Sequence, residues 1–192
     1  MEEAHYSYIV RERLRNLLPL LQRRGFLPRY RIDGYKVPER VPDGTRALLP
    51  HEILSFLKGT KMDEGRELQW KRMVKNLSKK RKLSNCLSVC DVSVSMDGTP
   101  MEVCVALGLL VSQLSEEPWR RNVLNFSENP ELHRIEGKRL LEKVEFIKRM
   151  QWGMNIDFQK VFDRILDVAV ASKLEEEKMV KRGVCIQRYG FC

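Results

Sequence analysis

No stretch of about 18 apolar residues occurs in the chain, so no segment reads as a membrane-spanning helix. The opening residues, with Glu2 and Glu3 and no apolar segment behind them, do not resemble a secretory signal. The five cysteines (Cys86, Cys90, Cys104, Cys185, Cys192) form an odd set without paired spacing. Free thiols and no export signal imply an intracellular protein, expected in the cytoplasm with the nucleus as the alternative. Cys86 and Cys90, four residues apart on an extended strand, would stand about 13 Å from each other, too far to share a metal ion. His5, His51 and His133 are scattered, without His-x-x-x-His spacing or an acidic neighbour at ligand distance. No Ser/His/Asp or Cys/His arrangement and no glycine-rich phosphate cradle is present; Gly98 stands alone. These absences argue against an enzyme and against a small-molecule substrate. Internal repeats and low-complexity tracts are also missing.

What is present is an ordinary globular composition, 43% hydrophobic and 8% aromatic over 192 residues. That length suits one domain with a smaller attachment. The net charge of +9 is unevenly placed. Residues 1–85 hold roughly twenty basic and ten acidic side chains, and the remainder is near neutral. Within this basic half, residues 5–24 have a helical stripe of Ile9, Val10, Leu14, Leu17, Leu18 and Leu21, interrupted by Pro19 and ended by Gly25. Pro28, Pro38, Pro42 and Asp43-Gly44 make residues 26–47 a linker. A helix opened by Pro50 runs from His51 to Lys58 and stops at Gly59. A longer one, about 63–81, puts Leu68, Met73 and Leu77 on one face, with Trp70 and Val74 beside it. Lys79, Lys80, Arg81 and Lys82 close it. They read as a nuclear-import or nucleic-acid patch, or as a solvated helix end suited to the dipole.

From residue 84 the period changes. Cys86-Leu87-Ser88-Val89-Cys90 has the apolar run of a buried parallel strand. Pro100–Leu114 predicts a helix apolar on nearly all sides. After Glu116-Glu117-Pro118, Arg121–Phe126 predicts a second strand and Leu132–Ile135 a third. Leu140–Met150 and Asp157–Ala171 predict helices, the last with Phe158, Val161, Phe162, Ile165, Leu166 and Val168 as its core set. Strands alternating with helices define an α/β sheet with crossover helices.

The chemistry concentrates at Asp91-Val92-Ser93-Val94-Ser95. One carboxylate and two hydroxyls at alternate positions offer three hard oxygens at a strand's carboxyl end, where open α/β sheets bind ligands. Mg²⁺ accepts such donors and completes its octahedron with water. The competing reading is an N-cap cluster for the following helix.

The run from Asn85 to Met96, continued by Gly98-Thr99-Pro100-Met101-Glu102-Val103, resembles a family of plant proteins of unknown function. The C-terminal half of that family is a von Willebrand factor A-like domain, distantly similar to the one in Ro-type ribonucleoproteins. Further matching runs are Leu114–Trp119, Phe126–Pro130, Met150–Asn155 and Asp157–Phe162, with Leu49–Ile53 and Leu68–Val74 upstream. The resemblance covers about residues 48–182. It implies a Rossmann-like sheet in the order 3-2-1-4-5-6, with a metal held above strand 1 by three loops. Loop one would supply Asp91, Ser93 and Ser95; loop two a threonine; the loop after strand 4 a second aspartate.

Three departures follow from the same comparison. Val94 stands where the family has glycine, and Ile156 where the threonine belongs. The run that should hold strand 4 and the second aspartate is replaced by Gly183–Cys192. Asn155 or Asp157 could supply a substitute oxygen. The site is therefore expected to hold Mg²⁺ weakly or not at all, having lost two of five protein ligands. Strand 1 is expected to lie at an apolar edge, with residues 184–186 the candidates to cover it. The chain divides as 1–47, a variable basic segment; 48–83, a helical lead-in; and 84–192, an incomplete domain containing strands 1–3 and an atypical tail over 183–192. The expected function is an intracellular protein-interaction module with a degenerate metal-ion-dependent adhesion site. The alternative is RNA or ribonucleoprotein association through the basic half, which salt between about 50 and 200 mM would weaken steeply.

Overall fold

The computed structural model describes residues 48–55, 57, 63–80, 83–151 and 158–186. The expectations for residues 1–47, for Gly59, for Arg81 and Lys82, for Trp152, Asn155, Ile156 and Asp157, and for 187–192 lie outside them.

The elements run α1 (Pro50–Ser55), α2 (Asp63–Lys80), β1 (Cys86–Cys90), a 3-10 turn (Val94–Met96), α3 (Thr99–Leu114), β2 (Asn122–Asn125), β3 (Leu132–Arg134), α4 (Leu140–Lys148), α5 (Phe158–Ala171), a second 3-10 turn (Glu176–Lys178) and β4 (Arg182–Ile186). The four strands form one mixed sheet in the order β3-β2-β1-β4. β1 pairs in parallel with both β2 and β4, whereas β3 runs antiparallel to β2. The α/β class stands.

Residues 184–186, the candidates to cover strand 1, do so as part of β4, which begins at Arg182. All five of its residues are in register with β1, from Cys86↔Arg182 to Cys90↔Ile186. β1 is therefore an inner strand and not an apolar edge, because a partner need only match its five residues to cover it. The two strands are joined at their start as well. The Asn85 side-chain amide donates to the Glu177 carbonyl, and the Lys181 N–H donates to the Asn85 carbonyl at 2.9 Å. Asn85 sits at φ 55, a left-handed conformation that asparagine tolerates better than most residues.

β1 is buried on both faces, and its side chains alternate between two apolar clusters. Cys86 and Cys90 face the cluster built with α1, α2, α3 and α4; Leu87 and Val89 face Trp119, Phe126 and the α5 residues Val161 and Ile165. Trp119 and Phe126 are fully enclosed, each burial contributing about 2–3 kcal/mol. The close approach of α3 to β1 depends on Gly108. A Cβ there would meet Cys90 Sγ at 2.3 Å, and the Ser88 hydroxyl donates to the Gly108 carbonyl at 3.2 Å.

Two helix faces differ from the periodicity. In α2, Leu68 is 55% exposed, while Trp70 is buried and Met73, Val74 and Leu77 pack against the core. The indole N–H of Trp70 donates to Gln113 Oε1 at 2.8 Å, so this ring anchors the lead-in helix to α3. In α5, Leu166 is exposed and Ala169 is buried instead. A helix packed against a twisted sheet buries the stripe nearest the sheet, and small residues can take the closest positions. At the start of α4, Glu142 accepts the backbone N–H groups of Lys138 (2.8 Å) and Arg139 (3.2 Å) and the Arg139 guanidinium (2.8 Å). That guanidinium, with the two amides behind it, holds the Glu142 carboxyl down to about 2. No helix among the described residues is long and apolar enough to cross a membrane.

Candidate functional site

Because β1, β2 and β4 are parallel, their carboxyl ends open on one edge of the sheet. Asp91 stands at that edge, directly after the last residue of β1, and is only 5% exposed. Its backbone N–H donates to the Ile186 carbonyl at 3.2 Å, so the strand on one side fixes it. The Phe126 N–H donates to the Cys90 carbonyl at 2.9 Å from the other side. Asp91 Oδ1 accepts the Ser93 N–H at 3.0 Å, a tight turn that brings the chain back over the strand end. Ser93 and Ser95 then place their hydroxyl oxygens 2.8 Å apart.

The sequence-based set Asp91, Ser93 and Ser95 is thus brought together in one short loop: a buried carboxylate, a half-buried hydroxyl and an exposed one. Val94 between the serines is 66% exposed and opens the 3-10 turn. Its backbone is right-handed, so the β-branched side chain is not strained there, and the glycine this position has in the resembled family is not needed. Gly98, at φ 83, makes the bend into α3 that a side chain would disfavour. The N-cap reading does not hold for this loop: Ser93 precedes the 3-10 turn and Gly98 precedes α3, both without a side-chain cap hydrogen bond.

Two buried thiols lie beneath the loop. Cys104 Sγ donates to the Ile186 carbonyl at 3.5 Å, and Cys90 Sγ to the Cys104 carbonyl at 3.9 Å. The neighbouring Cys90 thiol, then burial, pushes Cys104 well above the usual cysteine range. Cys86, Cys90 and Cys104 are fully buried core thiols outside any disulfide.

Asn125 was missed by the sequence reading. It ends β2 beside Cys90, is almost fully buried, donates to the Gln151 carbonyl at 2.8 Å and accepts the Glu131 N–H at 2.6 Å. It therefore ties Gln151 to the strand next to Asp91. The available signal was an amide inside an otherwise apolar strand, where a polar group must find partners.

As a cation site, the loop presents one carboxylate and two hydroxyls, with Asp91 Oδ1 already accepting a backbone amide. Among the described residues, no group of three or more His, Cys, Asp or Glu side chains could hold a metal. These donors fit a hard, largely hydrated ion and not a dehydrated one. The basic patch lies elsewhere. Lys79 and Lys80 end α2, which leads through Leu83 to the amino end of β1, opposite the Asp91 loop; Lys79 is exposed.

The mixed α/β sheet, with its polar loop above a central strand, defines a domain recognised as a family. The chain belongs to the family of domains of unknown function DUF7788, with the match spanning residues 85–186. The match begins one residue before β1 and ends with the last residue of β4, so all four strands lie inside the domain. The chain is also 35% identical over 137 residues to the uncharacterized protein L728 of Acanthamoeba polyphaga mimivirus. That similarity covers 71% of this chain and 24% of the viral protein, so the chain spans about a quarter of its relative's length. No solved structure matches.

Proposed function

We propose that residues 84–186 form a von Willebrand factor A-type interaction domain without catalytic activity, and that Asp91, Ser93 and Ser95 are a reduced metal-ion-dependent adhesion site. The observation that carries this reading is the burial of Asp91 at the carboxyl end of the central strand, with the Ser93 and Ser95 hydroxyls 2.8 Å apart in the loop that follows it. Two further features support it. The order β3-β2-β1-β4 matches the first four strands of the sheet implied by the plant and Ro-type resemblance. Asn125 ties Gln151, which precedes the expected second loop in sequence, to the strand beside Asp91. The domain would meet an acidic group of a protein partner in the cytoplasm or nucleus, through a weakly held Mg²⁺ or directly through the hydroxyls. Ser93 Oγ is paired with Ser95 Oγ and not with an imidazole, which leaves no activated nucleophile in the reading.

Metal titration tests it. With three protein oxygens, Mg²⁺ binding is expected only in the range of about 1 mM or weaker. Mn²⁺ should broaden the amide resonances of residues 92–96 in the wild-type chain and leave them sharp in Asp91→Ala. Micromolar binding would overturn the weak-site reading, and broadening that survives Asp91→Ala would overturn the site itself. The second reading, RNA association, is favoured by one observation. α2 exposes Lys71, Arg72, Lys75 and Lys79 along its length, the electrostatic footprint of a polyanion partner.

A further inference from the structure

Two clefts, of about 450 and 320 Å³, share Val74, Gln113 and Lys143 and form one groove between α2, the carboxyl end of α3 and the start of α4. Four separate segments bring cations to it: Lys71 and Lys75 from α2, Arg120 and Arg121 from the turn before β2, Lys138 from the loop before α4, and Lys143 from α4. Lys71 and Lys75 come from the basic half, whereas Arg120, Arg121, Lys138 and Lys143 come from a stretch that is close to neutral as a whole, so folding adds these four to the two on α2. The carboxylate among the described lining residues, Glu67, is already engaged. Lys71 Nζ is 2.8 Å from Glu67 Oε1, and the Leu140 N–H donates to Glu67 Oε2 at 3.4 Å. The Lys71 ammonium, with Lys143 adding to it, holds Glu67 below the usual carboxylate range. Among the described residues, Lys75, Arg120, Arg121, Lys138 and Lys143 have no carboxylate within 4.0 Å.

Beneath this cationic rim the floor is apolar, formed by the buried Leu109, Ile135 and Leu140. The arginine turn is also fixed in place. Arg121 sits at φ 64, its N–H donates to the Ser112 carbonyl at 2.8 Å, and its own carbonyl accepts the Ile135 N–H at 2.8 Å. Holding arginine in the left-handed region is unfavourable unless the surroundings impose it, and here both backbone groups are tied down. The result is a fixed backbone position from which Arg121, next to Arg120, lines one wall of the groove.

We propose that this groove binds an acidic peptide segment of a protein partner, in which carboxylates alternate with apolar side chains. The carboxylates would meet the five cations without a carboxylate partner and the apolar side chains the floor. Arginine favours planar, bidentate carboxylate recognition, and cations left without partners in one groove lose repulsion when an anion enters. A nucleic acid single strand would use the rim through its phosphates but would lack the exposed aromatic faces on which bases stack. The aromatic lining the groove, Trp70, is buried, with its ring N–H committed to Gln113. The groove lies by the end of α3 that contacts the amino end of β1, where the Ser115 hydroxyl donates to the Cys86 carbonyl, and is thus remote from the Asp91 loop. The inference stands apart from the metal-site reading.

Fluorescence anisotropy with the full chain tests it, using a labelled peptide of alternating Glu and Val and, separately, a labelled oligouridylate of equal charge. The peptide should saturate, and Lys75→Glu with Lys143→Glu should weaken it about tenfold or more, as loss of close charge pairs does. Arg72→Glu, a charge change equal to that of Lys75→Glu alone but on an exposed α2 position outside the groove, should weaken it less than about twofold, as a screened surface charge does. A peptide alternating Glu and Ser should bind more weakly than the Val version. Circular dichroism confirms folding, and the milder Lys75→Gln and Lys143→Gln pair replaces any charge reversal that unfolds. The proposal is overturned if the peptide does not saturate, if Arg72→Glu costs as much as the groove pair, or if the oligouridylate binds more tightly than the peptide.

Discussion

Gly108 shows how one residue sets the distance between two layers. It lies midway along α3, where glycine is unfavourable for a helix, by about 1 kcal/mol relative to alanine. Its value is proximity: the space a methyl would occupy already holds Cys90 Sγ, 2.3 Å from the ideal Cβ. Gly108→Ala should therefore destabilise the chain by about 1–3 kcal/mol despite its better helix propensity, as overpacked core substitutions do. Adding Cys90→Ala to Gly108→Ala removes the clashing sulfur and should recover part of that loss. Chemical denaturation of the two single variants and the double variant measures both terms. A Gly108→Ala chain as stable as wild type would show that α3 can move off the strand freely.

At the scale of elements, local pattern carried most of the architecture. The apolar run 86–90, the nearly all-round apolar helix to Leu114 and the strand around 122–125 lie within a residue or two of their predicted bounds. Each is specified by its own composition and stop signals. The Asp91 loop was equally readable, since its three donors are neighbours in sequence. What a one-dimensional reading lacked was pairing. Nothing within Leu132–Arg134 states that it runs antiparallel to β2, and the expected pairing of residues 184–186 with strand 1 left out Arg182 and Gly183, which extend it over the whole of β1. The cationic groove was hidden for the same reason, because its walls come from segments up to about seventy residues apart. The same pairing makes β4 a structural requirement. A chain ending at Gly183 would lose the cover over Val89 and Cys90 and the carbonyl that accepts the Asp91 N–H. It should expose β1 as an apolar edge and associate into larger species, since unpaired buried strands recruit other chains. Analytical ultracentrifugation checks this: a monomeric, cooperatively folded 1–183 chain would show that β4 is dispensable.

Across the whole molecule the sheet separates two unequal cores. One face is covered by α3 with α1, α2 and α4, whose buried residues join in the larger cluster. The other is covered by α5, which contributes Val161 and Ile165 beside Trp119 and Phe126 but leaves Leu166 52% and Val170 77% exposed. Local opening costs least where few apolar contacts must be broken. α5 should therefore release its amides to exchange before α3 does, while β1, between the two cores, should exchange only with global unfolding. Native-state hydrogen exchange resolves this ordering. The expected result is three tiers of protection, with α5 lowest, α3 higher and β1 at the limit set by global stability. Equal protection of α5 and α3 would mean that the two faces open as one cooperative unit across β1.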